Sequence, residues 1–177
     1  MGHLANENLQ DRSVLVGDVM VDVCLQVRDR VLAGTERVAG LPEGMDPTEP
    51  FLVSTLHRPD NTDDKDRLDA ILDSLAQLPV PVALLAHPRL VAKAEQHGIE
   101  LQRGSIQVSR PLAYGQMVAA VQASVGVVTD SGGLQKETFL LGRTGTTIRP
   151  ETEWVETLEN GWNVLAPDPH LMAPGEF

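Results

Sequence analysis

The sequence predicts an α/β protein built as a Rossmann-like, doubly wound parallel sheet. Two observations predict it. Short runs rich in β-branched and apolar residues alternate with stretches whose apolar residues recur at helical spacing, the pattern of βαβ units. The residues with chemical potential also fall just after the strands, where ligands bind in this architecture.

Taken in order, Ser13–Val16 reads as a first strand ending at Gly17-Asp18, and Met20, Val23, Cys24, Val27 and Val31 form a helical face. Gly34 to Pro50 is rich in glycine and proline and reads as a loop. Phe51–Thr55 is a strand. Thr62 or Asp63 caps a helix that carries Leu68, Ile71, Leu72 and Leu75 on one side. Val80–Ala86 is a strand closed by His87-Pro88, followed by a helix from Leu90 to His97 that Gly98 stops. Ile106–Val108 is a short strand before Pro111. Tyr114, Met117, Val118 and Val121 make the next helical face. Val125–Thr129 is a strand, and Asp130-Ser131-Gly132-Gly133 leads into a helix to Leu141. A strand at Thr144–Ile148, a short helix from Glu153 to Glu159 and a strand at Trp162–Leu165 complete the series. Residues 1–167 are therefore expected to be one domain and 168–177 a tail.

A chain of 177 residues can bury a core without staples. Its one cysteine, Cys24, sits among apolar neighbours and reads as core. The net charge of −11 argues against a non-specific nucleic-acid binder, though not against one small anionic ligand at a helix start. No apolar run approaches the roughly 20 residues of a membrane span, and the N-terminus lacks a signal-peptide pattern. No membrane association is expected, and the expected location is the cytoplasm. The histidines and the cysteine show no metal-ligand spacing, so no metal is expected. A Walker A lysine motif, a complete GxGxxG and a GxSxG are absent.

The strand-end rule selects Gly17-Asp18, His57-Arg58, His87, Pro111-Leu112, Asp130 to Gly133, and Arg149. The glycines of the Asp130–Gly133 turn let a ligand approach backbone N–H groups at a helix start, where the dipole favours an anion. An ordinary βα turn with Asp130 or Ser131 as cap explains the same residues. Glu137 lies one turn further on and is suited to accept both hydroxyls of a ribose; the alternative is a solvated helix residue. His57, beside Arg58 and near Asn61, can donate to a diphosphate or act as an acid toward a leaving group. His87 is explained equally by ligand contact and by capping.

These segments, in this order, resemble the non-hydrolysing UDP-N-acetylglucosamine 2-epimerase family. The resemblance rests on Gly17-Asp18-Val19-Met20-Val21-Asp22, His57-Arg58-Pro59-Asp60-Asn61, Pro111-Leu112-Ala113-Tyr114, Thr129 to Glu137, and Arg149 to Glu156. It implies the C-terminal, UDP-binding half of a two-domain enzyme, an architecture shared with many nucleotide-sugar glycosyltransferases. The implied reaction interconverts UDP-GlcNAc and UDP-ManNAc by elimination and re-addition of UDP, with no cofactor. By resemblance His57 lies near the diphosphate. Ser131, Gly132 and Gly133 form the phosphate turn, Glu137 binds the ribose, and Leu112 and Met117 lie where the backbone holds the uracil. Arg58 and His87 match positions that, in some bacterial members, contact a second, activating UDP-GlcNAc. Trp154 stands where some members have a substrate-contacting arginine, a charge that Arg149 can supply. The family's main acid/base carboxylates lie on its first domain, so this chain alone is expected to be inactive. The implied partners are a UDP-sugar and either a second copy of the chain or a missing N-terminal domain. A UDP-sugar-binding module without catalysis and the donor-binding half of a glycosyltransferase are the alternatives.

Overall fold

The computed structural model describes residues 6–168. Its strands are β1 (Leu52–Thr55), β2 (Val82–Leu85), β3 (Ile106–Ser109), β4 (Gly126–Thr129), β5 (Gly145–Thr147) and β6 (Asn163–Leu165). Every pairing among them is parallel, and the order is β3-β2-β1-β4-β5-β6. The helices are α1 (Val19–Leu32), α2 (Pro59–Thr62), α3 (Lys65–Ala76), α4 (Pro88–His97), α5 (Tyr114–Ala123) and α6 (Gly132–Leu140). This is the doubly wound order, in which the chain reverses its direction of winding between β1 and β4.

Strand alternation divides the core in two. Leu52, Val82, Leu84, Ile106 and Val128 face α3 and α4, packing against Leu68, Ile71, Leu72, Leu75 and Leu90. Val53, Ala83, Leu85 and Val127 face the other way, toward Cys24 and Val27 of α1, Val118 and Val121 of α5, and Leu134 of α6. The spacing of Leu68, Ile71, Leu72 and Leu75 places all four on one stripe, and each is fully buried. At about 25 cal/mol per Å² of apolar surface, each such leucine contributes roughly 1.5–3 kcal/mol. Cys24 is core, as its neighbours suggest. Gly98 ends α4 in the left-handed conformation, which its missing Cβ permits.

Three expectations are corrected. Residues 13–16 form no strand: Val14, Leu15 and Val16 are each about four-fifths exposed. β-branched residues favour a strand only where a pleated, half-buried surface receives them, and among the described residues no strand pairs with this segment. Neither Thr62 nor Asp63 caps α3. Residues 59–62 wind a separate turn started by Pro59, and the Asp64 carboxylate caps α3 by accepting from the Arg67 N–H at 2.8 Å. The helix expected from Glu153 is a 3-10 stretch over Val155–Gly161, broken at Glu159 and at Asn160, whose φ is +55°. The remaining elements match to within a residue or two. The tail expected over 168–177 falls, from residue 169 on, outside the described residues. Among the described residues no helix is long and apolar enough to cross a membrane.

Candidate functional site

The reversal between β1 and β4 leaves a crevice beyond their C-terminal ends, and one buried carboxylate organises it. Asp130, the first residue after β4, has no exposed surface. Its oxygens accept from the backbone N–H of His57 at 3.0 Å and of Arg58 at 2.9 Å, and from Asn61 Nδ2 at 3.2 Å. His57 Nδ1 lies 3.0 Å from Oδ1. Arg58 Nε donates to the Asp130 carbonyl at 2.8 Å. The Thr55 and Thr129 hydroxyls meet at 2.6 Å across the same strand pair. The loop after β1 is therefore folded around the residue after β4.

Burial alone would push the Asp130 carboxyl up. The His57 side chain and the two backbone N–H groups outweigh it and hold the carboxyl below its usual range. The same hydrogen bond raises the pKa of His57, against partial burial and the nearby Arg58 charge. His57 thus has its Nδ1 proton committed to Asp130 and its other nitrogen, Nε2, left over.

A cavity of about 500 Å³ opens at this crevice. His57, His87, Leu112, Met117, Ser131, Gly133 and Glu137 all line it, together with Tyr114. At the start of α6 the Ser131 hydroxyl caps the helix by accepting from the Leu134 N–H at 3.3 Å, and keeps its own proton to donate. The first N–H groups of α6 have no intrahelical acceptor and carry the positive end of the dipole. A Cβ on Gly133 would meet only Met20 at 3.6 Å and Ser131 at 3.8 Å, so this side of the turn is open. Glu137 is half-buried, and that burial raises its pKa against the Tyr114 hydrogen bond and the Lys136 charge.

Three expected site residues do not line this cavity. Gly132 sits under the Glu153 carboxylate and the Arg149 guanidinium, which pair at 2.9 Å, so its lack of a side chain makes room for protein. Arg149 and Arg58 line a second, smaller cavity of about 90 Å³ with Asp60, Asn61 and Arg67. Trp154 stacks on the Lys136 ammonium, 4.1 Å from the ring centre, while Lys136 also pairs with Asp18. Asp18, selected as a strand end, instead caps α1 through the Met20 N–H at 2.9 Å. Residues that the sequence reading passed over are Asp130 as an anchor and Tyr114 as a wall of the cavity. Position just after an apolar strand was the available signal for Asp130. Among the described residues no cluster of three or more histidine, cysteine or acidic side chains is placed to hold a metal.

Known proteins resemble this chain in sequence and in fold. The family model described as UDP-N-acetylglucosamine 2-epimerase matches residues 1–171. A UDP-2,3-diacetamido-2,3-dideoxy-D-glucuronate 2-epimerase of Pseudomonas aeruginosa is 38% identical over 169 residues, covering 92% of this chain and 45% of its own. A UDP-N-acetylglucosamine 2-epimerase homolog of Methanococcus maripaludis is 30% identical, covering 92% of this chain and 46% of its own. The chain thus spans a little under half the length of these relatives. The crystal structure of Methanocaldococcus jannaschii UDP-GlcNAc 2-epimerase in complex with UDP-GlcNAc and UDP superposes with a TM-score of 0.74 at 24% identity, over 93% of this chain and 47% of that one, which is likeness of fold. With the family model spanning nearly its whole length, the chain belongs to the UDP-N-acetylglucosamine 2-epimerase family.

Proposed function

We propose that this chain is the nucleotide-binding half of a UDP-sugar 2-epimerase that inverts C2 by eliminating and re-adding UDP. The observation that carries the reading is the convergence on one cavity of a helix start, an anchored histidine and a half-buried carboxylate. The diphosphate is assigned to the start of α6 and to His57 Nε2, and the ribose hydroxyls to Glu137. The uracil is assigned to the side of the cavity at Leu112 and Met117. On elimination the C2 proton leaves, the C1–O bond breaks, and its electron pair goes to the departing diphosphate. A cationic His57 stabilises that charge.

Two versions of the sugar stand. UDP-GlcNAc is the one the family description supports. A UDP-diacetamido uronic acid is supported by the 38% identity to the Pseudomonas aeruginosa enzyme. The arginines of the small cavity, Arg58, Arg67 and Arg149, fit the additional sugar carboxylate of that second version. Removing a proton from one face of C2 and returning it to the other needs two placed groups. Of the groups lining the cavity His57 is engaged with the diphosphate, so this chain alone is read as binding without turnover.

The test is titration with UDP followed through backbone amide resonances. Ser131, Gly132 and Gly133 should shift, with a Kd of roughly 0.1–1 mM, equivalent to about −4 to −5.5 kcal/mol. Glu137→Gln should weaken UDP by about tenfold while leaving pyrophosphate nearly unchanged. Saturation without a shift in the turn overturns the site. Deuterium entering C2 of UDP-GlcNAc in heavy water above a protein-free control overturns the reading of binding without turnover.

A further inference from the structure

Tyr114 is the residue of the cavity that neither its helical pattern nor the capping logic accounts for. It is the first residue of α5, yet its ring lies away from the core, 39% exposed. It stands between the large cavity and a shallow apolar groove formed by Val19, Met20 and Val23. Its hydroxyl donates to Glu137 Oε1 at 2.9 Å. This bond joins residues 23 apart in sequence on two different helices, and both face the same cavity.

A glutamate carboxylate turns easily about its last bond, and a helix surface does not fix its plane. Accepting two neighbouring hydroxyls requires that plane to be set before the ligand arrives, or binding bears the ordering cost. A hydrogen bond from a short, stiff aromatic side chain sets it. Once its proton is given to Glu137, the Tyr114 oxygen offers only lone pairs, so it too can accept from a hydroxyl. We propose that Tyr114 is a positioning residue for nucleoside recognition, holding the Glu137 carboxylate in the orientation that a vicinal diol of a ribose requires. This rests on the assignment of Glu137 to the ribose. Burial forces the tyrosine hydroxyl well above its usual range, with Glu137 reinforcing the effect, so the donor proton stays in place. The titratable groups that act on Glu137 or feel its charge are Tyr114 on α5, Cys24 on α1 and Lys136 on α6. His57 and His87 stand elsewhere on the cavity wall.

The experiment compares wild type, Tyr114→Phe, Glu137→Gln and the double variant, each titrated with UDP and with pyrophosphate from pH 5 to 8. Tyr114→Phe should weaken UDP about fivefold and leave pyrophosphate within twofold, since a single hydrogen bond to a charged group is removed. Its UDP affinity should also begin to fall at a higher pH as the solution is acidified. The lost bond favoured the ionised carboxyl, so Glu137 protonates sooner. On the Glu137→Gln background the tyrosine substitution should add less than twofold, the signature of coupled residues. If Glu137→Gln weakens UDP selectively but Tyr114→Phe matches wild type in affinity and pH profile, the proposal about Tyr114 is overturned and the ribose site stands. Equal loss of UDP and pyrophosphate in Tyr114→Phe makes it a structural residue and overturns the proposal. If Glu137→Gln itself is silent, the ribose assignment fails first and the proposal falls with it.

Discussion

The loops after β1 and after β2 start from the same plan and end with opposite chemistry. His57 and His87 each stand two residues beyond a strand, and a proline begins the helix that follows. Their rings are 5.9 Å apart. His57 Nδ1 faces a buried carboxylate and donates. His87 Nδ1 accepts from the Arg89 N–H at 3.2 Å and caps α4, so its proton belongs on Nε2. What separates them is the strand next door. β1 adjoins β4, which delivers Asp130, whereas β2 adjoins β3, whose end delivers Arg110 and Pro111. Position at a strand end brings a histidine to the crevice, and the neighbouring strand decides what it can do there.

The sharpest way to break that comparison is Asp130→Asn. The substitution keeps the size and removes the charge that the surrounding donors and the His57 ring require. It should cost about 3 kcal/mol of folding stability, the usual penalty for breaking a buried pair, read as a lower urea midpoint. The nitrogen chemical shifts of His57 should move toward those of an unanchored ring while those of His87 stay fixed. A loss below about 1 kcal/mol would mean that Asp130 anchors nothing.

A smaller effect appears in the pH dependence of stability. The pKa of His57 is raised on folding by Asp130, so its contribution is complete below the unfolded value of about 6.5 and is lost as pH rises through the folded value. With a ring 40% exposed, water screens the gain to about 1 kcal/mol at most. Denaturation at pH 6 and at pH 8.5 should therefore show a decline in wild type that His57→Gln flattens. An identical decline in both proteins would place the titrating group elsewhere.

The least effect is expected from His87→Ala, which removes one helix cap on the exposed surface. It should lower stability by about 0.5 kcal/mol and weaken UDP less than His57→Ala does. Equal losses of UDP affinity from the two substitutions would erase the distinction between the loops.

Much of the fold was legible in the sequence because its signals are local. The stripe of Leu68, Ile71, Leu72 and Leu75, the stop at Gly98 and the apolar runs of β1, β2 and β4 need only their neighbours in sequence to be read. Ser13–Val16 misled because strand propensity reports a fit to a sheet, and whether a sheet edge receives the segment is a tertiary fact. The same division holds for the site. His57, Ser131, Gly133 and Glu137 are candidates by position and type, and they share a cavity. Gly132, Arg58 and Arg149 were grouped with them by sequence order, but Gly132 lies under the Glu153 carboxylate and the two arginines line the small cavity, so none of the three lines the large one. The anchoring role of Asp130 depends on contacts across 73 residues, and no local pattern announces those.

The adjacency of β1 and β4 also has a kinetic consequence. β1, β2 and β3 can pair in succession through short crossovers, each adding to the strand before it. Thr55 and Thr129, by contrast, meet across a sequence separation of 74, and closing so long a loop costs entropy before any contact compensates it. A chain that has assembled only its first three strands already has a sheet, but it has no crevice and its histidine has no anchor. A ligand held in that crevice therefore binds only chains that have brought β1 and β4 together. By mass action it draws the folding population past its longest-range step.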